Sequence, residues 1–100
     1  MADDIPCRGC SRVLSRDEAR VAGFSVFAQG DERIDSWFYC RDCHSWTVEE
    51  YLDVFVGESR ISIRGPFAFE VGSRFVDIIR RCPTPMDKWC ECPAHREYGY

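Results

Sequence analysis

The first half of the chain contains short runs of apolar residues that are separated by turn-forming residues. Residues 20–28 are rich in valine and phenylalanine and predict a β-strand. Gln29-Gly30-Asp31-Glu32 has the composition of a turn, and residues 33–39 predict the returning strand. The pattern therefore predicts a β-hairpin over this part of the chain.

A helix is predicted shortly after this hairpin. Thr47 is followed three residues later by Glu50, which is the spacing of a helix capping box. Gly57 supplies a helix stop. Between these signals, four apolar residues recur at the period of one helix face, at i, i+3, i+4 and i+7: Val48, Tyr51, Leu52 and Phe55.

Two further strands are predicted in the second half. Residues 60–64 alternate between polar and apolar side chains, so we expect Ile61 and Ile63 to face the core. Gly65-Pro66 predicts a turn, and residues 67–71 then predict the next strand.

A second helix is predicted over residues 74–81, with Ser73 as its N-cap. Its C-terminal end carries Arg80 and Arg81, whose positive charge complements the helix dipole. The inward face of this helix is predicted to consist of three apolar side chains: Phe75, Ile78 and Ile79.

The composition is that of a globular protein, with 45% hydrophobic and 14% aromatic residues in a chain of 100 residues. A chain of this length builds only a modest core, and such proteins often gain stability from cross-links or metals. The longest apolar runs are a few residues, so no membrane span is expected. The acidic first residues do not resemble a signal peptide, so we expect a cytoplasmic protein.

The net charge of −4 does not favour nucleic acid as a partner. Local groups of arginine still leave a nucleic-acid-binding role as an alternative, which predicts binding that weakens steeply with salt. The arginines that would serve it lie near the first cysteine pair or in the second predicted helix: Arg8, Arg12, Arg16, Arg20, Arg74, Arg80 and Arg81.

Seven cysteines are the main anomaly of the composition. In a reducing compartment this density indicates metal or redox chemistry, and an odd number would leave one thiol without a disulfide partner. Two C-x-x-C pairs lie 29 residues apart. Because zinc prefers four tetrahedral sulfur or imidazole ligands, the two pairs predict one zinc site, formed by Cys7, Cys10, Cys40 and Cys43.

The remaining cysteines and one histidine predict a second zinc ion, with Cys82, Cys90, Cys92 and His95 as ligands. Three prolines mark this segment as a loop that lacks ladder hydrogen bonds, and a metal would hold such a loop in place. A crossed arrangement, in which ligand pairs alternate between the two ions, remains open. Both sets are already filled by four protein ligands, which is typical of structural zinc, so no enzyme is predicted.

The order of knuckle, hairpin, knuckle and helix start resembles the treble-clef class of zinc domains, with the zinc ribbon as its simpler neighbour. The resemblance covers residues 5–57 and implies an α+β fold. Residues 58–100 would add two strands, a helix and the second zinc loop, so that residues 1–100 form a single domain. Treble clefs serve nucleic acids, lipids, ubiquitin transfer and scaffolding, so the resemblance does not select a function.

Three alternative chemistries use the same cysteines. The spacing of the first four resembles that of rubredoxins, which bind one iron for electron transfer, although Ser11 and His44 stand where those knuckles usually have glycine. The segment 40–44 also matches the c-type haem motif C-x-x-C-H, which leaves the first pair unexplained. Finally, the loop with Cys90 and Cys92 suggests a redox switch in which peroxide releases one zinc before the other.

The expected role is that of a protein-interaction or adaptor module with a protein partner. Trp46, Trp89 and the tail Tyr98-Gly99-Tyr100 are aromatic groups near the predicted metal loops. Tryptophan and tyrosine often anchor interfaces, although the two tryptophans could equally pack over the metal sites. The identity of the partner and the oligomeric state are not encoded in any of these patterns.

Overall fold

The computed structural model describes residues 4–28, 30–54, 57 and 59–98. Gln29, Phe55, Gly99 and Tyr100, which enter the predictions above, lie outside these residues. The described chain forms a two-stranded sheet, a four-stranded antiparallel sheet of order β3-β4-β5-β6, and three helices. In chain order the elements are β1 Asp4–Pro6, β2 Val13–Ser15, α1 Arg16–Ala19, β3 Arg20–Ala28, β4 Asp31–Cys40, β5 Ser45–Asp53, β6 Arg60–Ala68, α2 Phe69–Arg80 and α3 Pro93–Tyr98.

The predicted hairpin is confirmed, since β3 and β4 pair antiparallel along most of their length. β4 lies between β3 and β5, so both of its edges are bonded and its alternate side chains enter cores on opposite faces. Trp37 and its neighbour Phe38 are both buried and belong to different clusters.

The helix predicted after the second cysteine pair is wrong, because Ser45–Asp53 is strand β5. β5 pairs with β4 from Ser45 opposite Cys40 to Asp53 opposite Glu32, so it has a complete partner strand. Thr47 is fully buried and accepts a hydrogen bond from the Arg8 amide at 3.0 Å instead of capping a helix. Tertiary pairing therefore overrides the local helix signal. The helix that distinguishes a treble clef does not follow the second knuckle in the described chain.

The predicted turn at Gly65-Pro66 is also wrong, because strand β6 continues through a cis peptide bond at this position. The separate strand predicted over residues 67–71 is wrong as well, since β6 ends at Ala68 and helix α2 begins at Phe69. Gly65 has a φ of +127°, and a Cβ atom there would lie 2.8 Å from the Trp46 carbonyl oxygen, so only glycine fits. Ile63 packs against a core as expected, but Ile61 is 61% exposed. The cluster on this face of the sheet therefore reaches Ile63 but not Ile61.

Helix α2 begins five residues earlier than predicted and has Ala68 rather than Ser73 at its N-cap. Its predicted inward face is confirmed: Ile78 and Ile79 are buried, and Phe75 stacks on Trp37 with ring centroids 5.4 Å apart. The twelve residues of α2 make it the longest described helix, and none of the described helices is long and apolar enough to cross a bilayer.

Two hydrophobic clusters lie on the two faces of the larger sheet. The larger cluster joins the sheet to α2 and α3 and includes Phe24, Trp37, Trp46, Val48, Val76, Ile79 and Tyr98. The smaller joins the sheet to β1 and β2 and includes Ile5, Leu14 and Phe38. The larger cluster contains Cys82, and the smaller contains Cys7 and Cys40, so each predicted ligand set borders one core. The single-domain assignment of residues 1–100 stays a prediction.

Replacing Gly72 with alanine tests the packing of α2 on the sheet. A Cβ atom at this buried position would lie 2.7 Å from Nε1 of Trp46, which is itself bonded to the Phe69 carbonyl at 3.1 Å. Helix propensity alone would raise stability by about 1 kcal/mol. We expect the opposite sign, a loss of about 1–3 kcal/mol from overpacking, measured by urea denaturation. Asp77→Ala, at an exposed position of the same helix, should change stability by less than about 0.5 kcal/mol; a more stable Gly72→Ala protein would contradict the packing described.

Candidate metal centres

The structure brings all eight predicted ligands together in two groups of four. Within each group the ligand atoms lie within 4.8 Å of one another. The grouping is sequential rather than crossed: Cys7, Cys10, Cys40 and Cys43 form the first set, and Cys82, Cys90, Cys92 and His95 form the second set.

The sulfur atoms of the first set have the spacing of a tetrahedral site. The Sγ atoms of Cys7 and Cys43 are 3.5 Å apart, and those of Cys10 and Cys40 are 3.8 Å apart. Four thiolates that each lie 2.3 Å from a zinc ion at tetrahedral corners would be separated by about 3.8 Å. All seven cysteines of the chain are free thiols. The first set therefore fits one metal ion without rearrangement of the backbone.

Two similar backbone turns position the first set. Cys7 follows β1 and Cys40 ends β4, so each pair begins where a strand stops. Ser11 and His44, which directly follow the two pairs, have φ values of +65° and +53°. This left-handed conformation is the one that glycine usually supplies, and here two non-glycine residues adopt it. The two knuckles thus turn in the same way although their sequences differ.

The first set also receives hydrogen bonds from its surroundings. The Gly9 amide donates to the Cys7 sulfur at 3.4 Å, and the Ser45 hydroxyl lies 3.0 Å from the Cys43 sulfur. A Cβ atom at Gly9 would come within 2.6 Å of that hydroxyl oxygen and 3.0 Å of that sulfur. A larger residue at this position would therefore require the Ser45 and Cys43 side chains to shift.

The thiols of the first set differ in acidity. Burial raises the pKa of Cys7, but hydrogen bonds from the backbone of Cys10 and Gly9 outweigh it and bring the pKa to about 6. The Arg12 amide lowers the pKa of Cys10, but desolvation and the neighbouring cysteines raise it to about 11. Metal binding would therefore displace protons from this set and be favoured as the pH rises.

The second set has the spacing expected for three sulfurs and one nitrogen. Nδ1 of His95 lies 3.3 Å from the Cys82 sulfur and 3.6 Å from the Cys92 sulfur, and the Cys82 and Cys90 sulfurs are 3.7 Å apart. Tetrahedral zinc would separate a sulfur from an imidazole nitrogen by about 3.6 Å. Cys82 follows the C-cap residue of α2, Arg81, and His95 lies on α3, so the set links the two helices.

The imidazole of His95 is oriented by its second nitrogen. Nε2 lies 2.9 Å from the Ser25 carbonyl oxygen, so Nε2 must carry a proton and donate it to that oxygen. In the neutral imidazole, Nδ1 then has a lone pair that faces the sulfurs. Phe24 stacks on the ring with centroids 4.1 Å apart. Metal-binding histidines characteristically donate their other N–H to such an acceptor. This contact favours a ligand role for His95 over that of an ordinary buried histidine.

The helix that carries His95 is fixed to the sheet by a buried polar chain. The Tyr98 hydroxyl donates to Asp35 at 2.6 Å and accepts from Nε1 of Trp37 at 3.0 Å. Asp35 is fully buried and also pairs with Arg33 at 3.1 Å. The sequence did not predict this set of hydrogen bonds among Tyr98, Asp35 and Trp37. The signal available was a carboxylate inside the strand predicted over residues 33–39, two residues before Trp37 and therefore on the same strand face, since a buried charge requires partners.

The acidities of the second set also diverge. Burial and the neighbouring cysteines raise the pKa of Cys82 to about 11. The Thr84 side chain and then the Cys92 backbone lower the pKa of Cys90. As in the first set, protons would have to leave before all ligands could bind a metal.

The other predicted groups near the metal sets have different positions. His44 lies outside both groups, with Nδ1 3.0 Å from the Tyr39 hydroxyl. Trp46 is a buried core residue, whereas Trp89 is 64% exposed. Of the two tryptophans, only Trp89 is therefore available on the surface.

The chain has no match among models of protein families, curated proteins or solved structures. Its fold and its two ligand sets alone define its class. It is a small α+β protein with antiparallel sheets and with two Cys/His groups that could hold metal ions.

Replacing Tyr98 with phenylalanine tests whether the polar chain positions His95. The change removes the hydroxyl that Asp35 and Trp37 share, which should lower stability by about 1–3 kcal/mol. We also expect zinc affinity of the second set to fall by up to about tenfold and that of the first to stay unchanged, in a two-step titration against a competing chelator. Tyr39→Phe, which removes the hydroxyl bonded to His44, is the matched control. Equal weakening of both sets by Tyr98→Phe would contradict a positioning role.

Proposed function

We propose that this is a small structural-zinc protein that binds one ion through four cysteines and one through three cysteines and a histidine. The observation that carries the proposal is the preformed second set, in which the Ser25 carbonyl fixes the tautomer of His95 and leaves Nδ1 facing the sulfurs. Tetrahedral sulfur and imidazole donors select zinc among common metals. Four protein ligands leave no open coordination position, so both ions are structural rather than catalytic.

The two ions would each close a different part of the fold. The first would join the knuckle after β1 to the turn between β4 and β5, because its ligands come from both. The second would join the end of α2 to α3 and to the loop between them. A protein of 100 residues has a limited core, so metal binding should contribute directly to its folding free energy.

Rubredoxin-like electron transfer is the main alternative chemistry. The four cysteines of the first set would also suit iron, which prefers four thiolates in such a site. The imidazole of the second set favours zinc in the same protein. The metal found in the first set decides between the two proposals.

The proposed biological role is that of a protein-interaction or adaptor module. Its support is an exposed apolar group beside the second set: Phe27 is 42%, Met86 50% and Trp89 64% exposed. The rings of Phe27 and Trp89 lie 4.5 Å apart. Clustered exposed apolar side chains often mark interaction sites, and tryptophan is among the residues that contribute most to interfaces.

Nucleic-acid binding is the second proposal and has less support. Several of the arginines that would contact phosphate lie in ion pairs with acidic side chains: Arg12 with Asp42, Arg16 with Glu49, and Arg81 with Glu97. Pairing of this kind reduces the positive potential available to a polyanion. We therefore expect no change in fluorescence anisotropy when the protein is titrated into mixed-sequence duplex DNA or RNA at low salt. Binding that weakens steeply with added salt would make nucleic acid the leading partner.

Metal content tests the zinc proposal directly. We expect about two zinc ions per chain in protein purified without added metal, as measured by inductively coupled plasma mass spectrometry. Cys10→Ser and Cys90→Ser should each reduce this to about one, whereas His44→Asn should keep both, since asparagine tolerates the left-handed backbone and His44 is no ligand. A strong chelator should abolish the circular dichroism of the folded state. Iron in the first set would replace this proposal with electron transfer, and fewer than two metals would remove one of the sites.

A further inference from the structure

Strand β3 is an outer strand of the larger sheet, and its own protection is confined to its start, where Arg20 carries a charge and the register shifts between Arg20 and Ala22. Residues 21–28 include neither a charge nor a proline and are rich in valine and phenylalanine. Edge strands normally carry lysine, proline or a bulge that prevents pairing with other chains. An uncharged segment of high β-propensity is the kind that self-associates when its edge is open. Something other than the strand's own side chains must therefore protect this edge.

The opposite outer strand shows the usual protection. β6 carries Arg60 and Arg64, and Pro66 interrupts its row of amide donors. If two copies of β6 paired antiparallel about Ser62, Arg60 of one would face Arg64 of the other, and like charges would repel. The two outer strands of the same sheet are therefore protected from pairing with other chains in different ways.

The segment that contains the second ligand set covers the edge of β3. The Ser25 amide donates to the Pro85 carbonyl at 2.8 Å, and the Ser25 carbonyl accepts from Nε2 of His95 at 2.9 Å. The amide and the carbonyl of Ser25 therefore point away from β4. Their partners are Pro85, which lies between the ligands Cys82 and Cys90, and the ligand His95. Their partners hold the positions that a neighbouring strand would otherwise take.

Two parts of this segment contact the sheet in different ways. Helix α3 packs on it through the Phe24–Tyr98 ring contact at 4.5 Å and through the hydrogen bonds of Tyr98 to β4. The contacts of the loop before α3 include an ion pair of 3.6 Å between Lys88 and Glu32 and the ring contact of Phe27 with Trp89. These loop groups are partly exposed, and exposed ion pairs contribute little to stability. Without a bound metal, the proline-rich loop would have few interactions to hold it against β3.

We propose that the second metal set acts as an edge cap, and that loss of its zinc opens β3 to antiparallel pairing with β3 of a second copy of the chain. This inference rests on the proposed zinc site. Pairing about Ser25 would let the amide and carbonyl of each Ser25 bond those of its partner, in a closed two-fold arrangement. Gly23 would face Phe27, and Phe24 would face Val26, so no like charges meet across residues 22–28. The uncharged sequence favours a second copy of itself as the occupant.

His95→Ala tests the proposal, because it removes one ligand and the partner of the Ser25 carbonyl together. We expect this protein to retain about one zinc per chain and to show a concentration-dependent mass of about twice the wild-type value in size-exclusion chromatography with light scattering. The double variant Phe27→Lys/His95→Ala places a charge on the exposed edge and should return to the wild-type mass. Cys10→Ser, which loses the zinc of the first set, is the matched control and should also keep the wild-type mass.

The outcomes separate this inference from the zinc proposal. His95→Ala protein with one zinc and wild-type mass would overturn the edge cap and leave the zinc sites standing. Association that persists after Phe27→Lys, or that Cys10→Ser produces equally, would also overturn it. Wild-type protein without zinc in the second set would overturn both proposals. If near-ultraviolet circular dichroism shows that His95→Ala does not fold, Cys90→Ser removes a thiolate, keeps the imidazole and carries the same expectations.

Discussion

The position of the His95 ring is the constraint on which much of the structure depends. One nitrogen is bound to the Ser25 carbonyl, the other faces two sulfurs, and Phe24 covers one side of the ring. These contacts bring together the edge of the sheet, the end of α2 and the start of α3. Because α3 has only six residues, it could not hold this position alone, and its attachment depends on Tyr98 and on the ligand set.

The two ligand sets lie on opposite faces of one sheet, where each borders a different hydrophobic cluster. The first set lies at the border of the small cluster that contains Ile5 and Phe38, and the second borders the large cluster beneath α2. A sheet with a thin layer on one face and short helices on the other buries little apolar surface for its size. Metal ligation at both borders would compensate for this, since the ligands of each ion come from separate elements of the fold.

The residues of the two candidate metal sets were predictable from the sequence because their chemistry is local. C-x-x-C spacing, the number of cysteines and His95 were enough to predict the eight residues, and the hairpin followed from its own composition and turn. The choice of the sequential grouping over the crossed one required the structure. β5 was not predictable in this way. Thr47 and Glu50 have helix-capping spacing, and the apolar residues after them fit a helix, but β4 offers this segment a full row of backbone partners. That competition depends on contacts distant in sequence, as does the exposure of Ile61.

The same distinction explains why the partners of Asp35 and the covering of the β3 edge became clear only in three dimensions. A charge in a central strand and an uncharged run in an outer strand each contradict local rules. The buried carboxylate of Asp35 is tolerated because Tyr98 donates a hydrogen bond to it and Arg33 forms an ion pair with it. A charge on β3 near Phe24 and Ser25 would be poorly tolerated, because both residues are fully buried. The edge of β3 and the segment that contains the second ligand set therefore depend on each other. The segment shields an apolar strand from other chains, and that strand supplies the carbonyl and the aromatic ring that orient the segment's histidine.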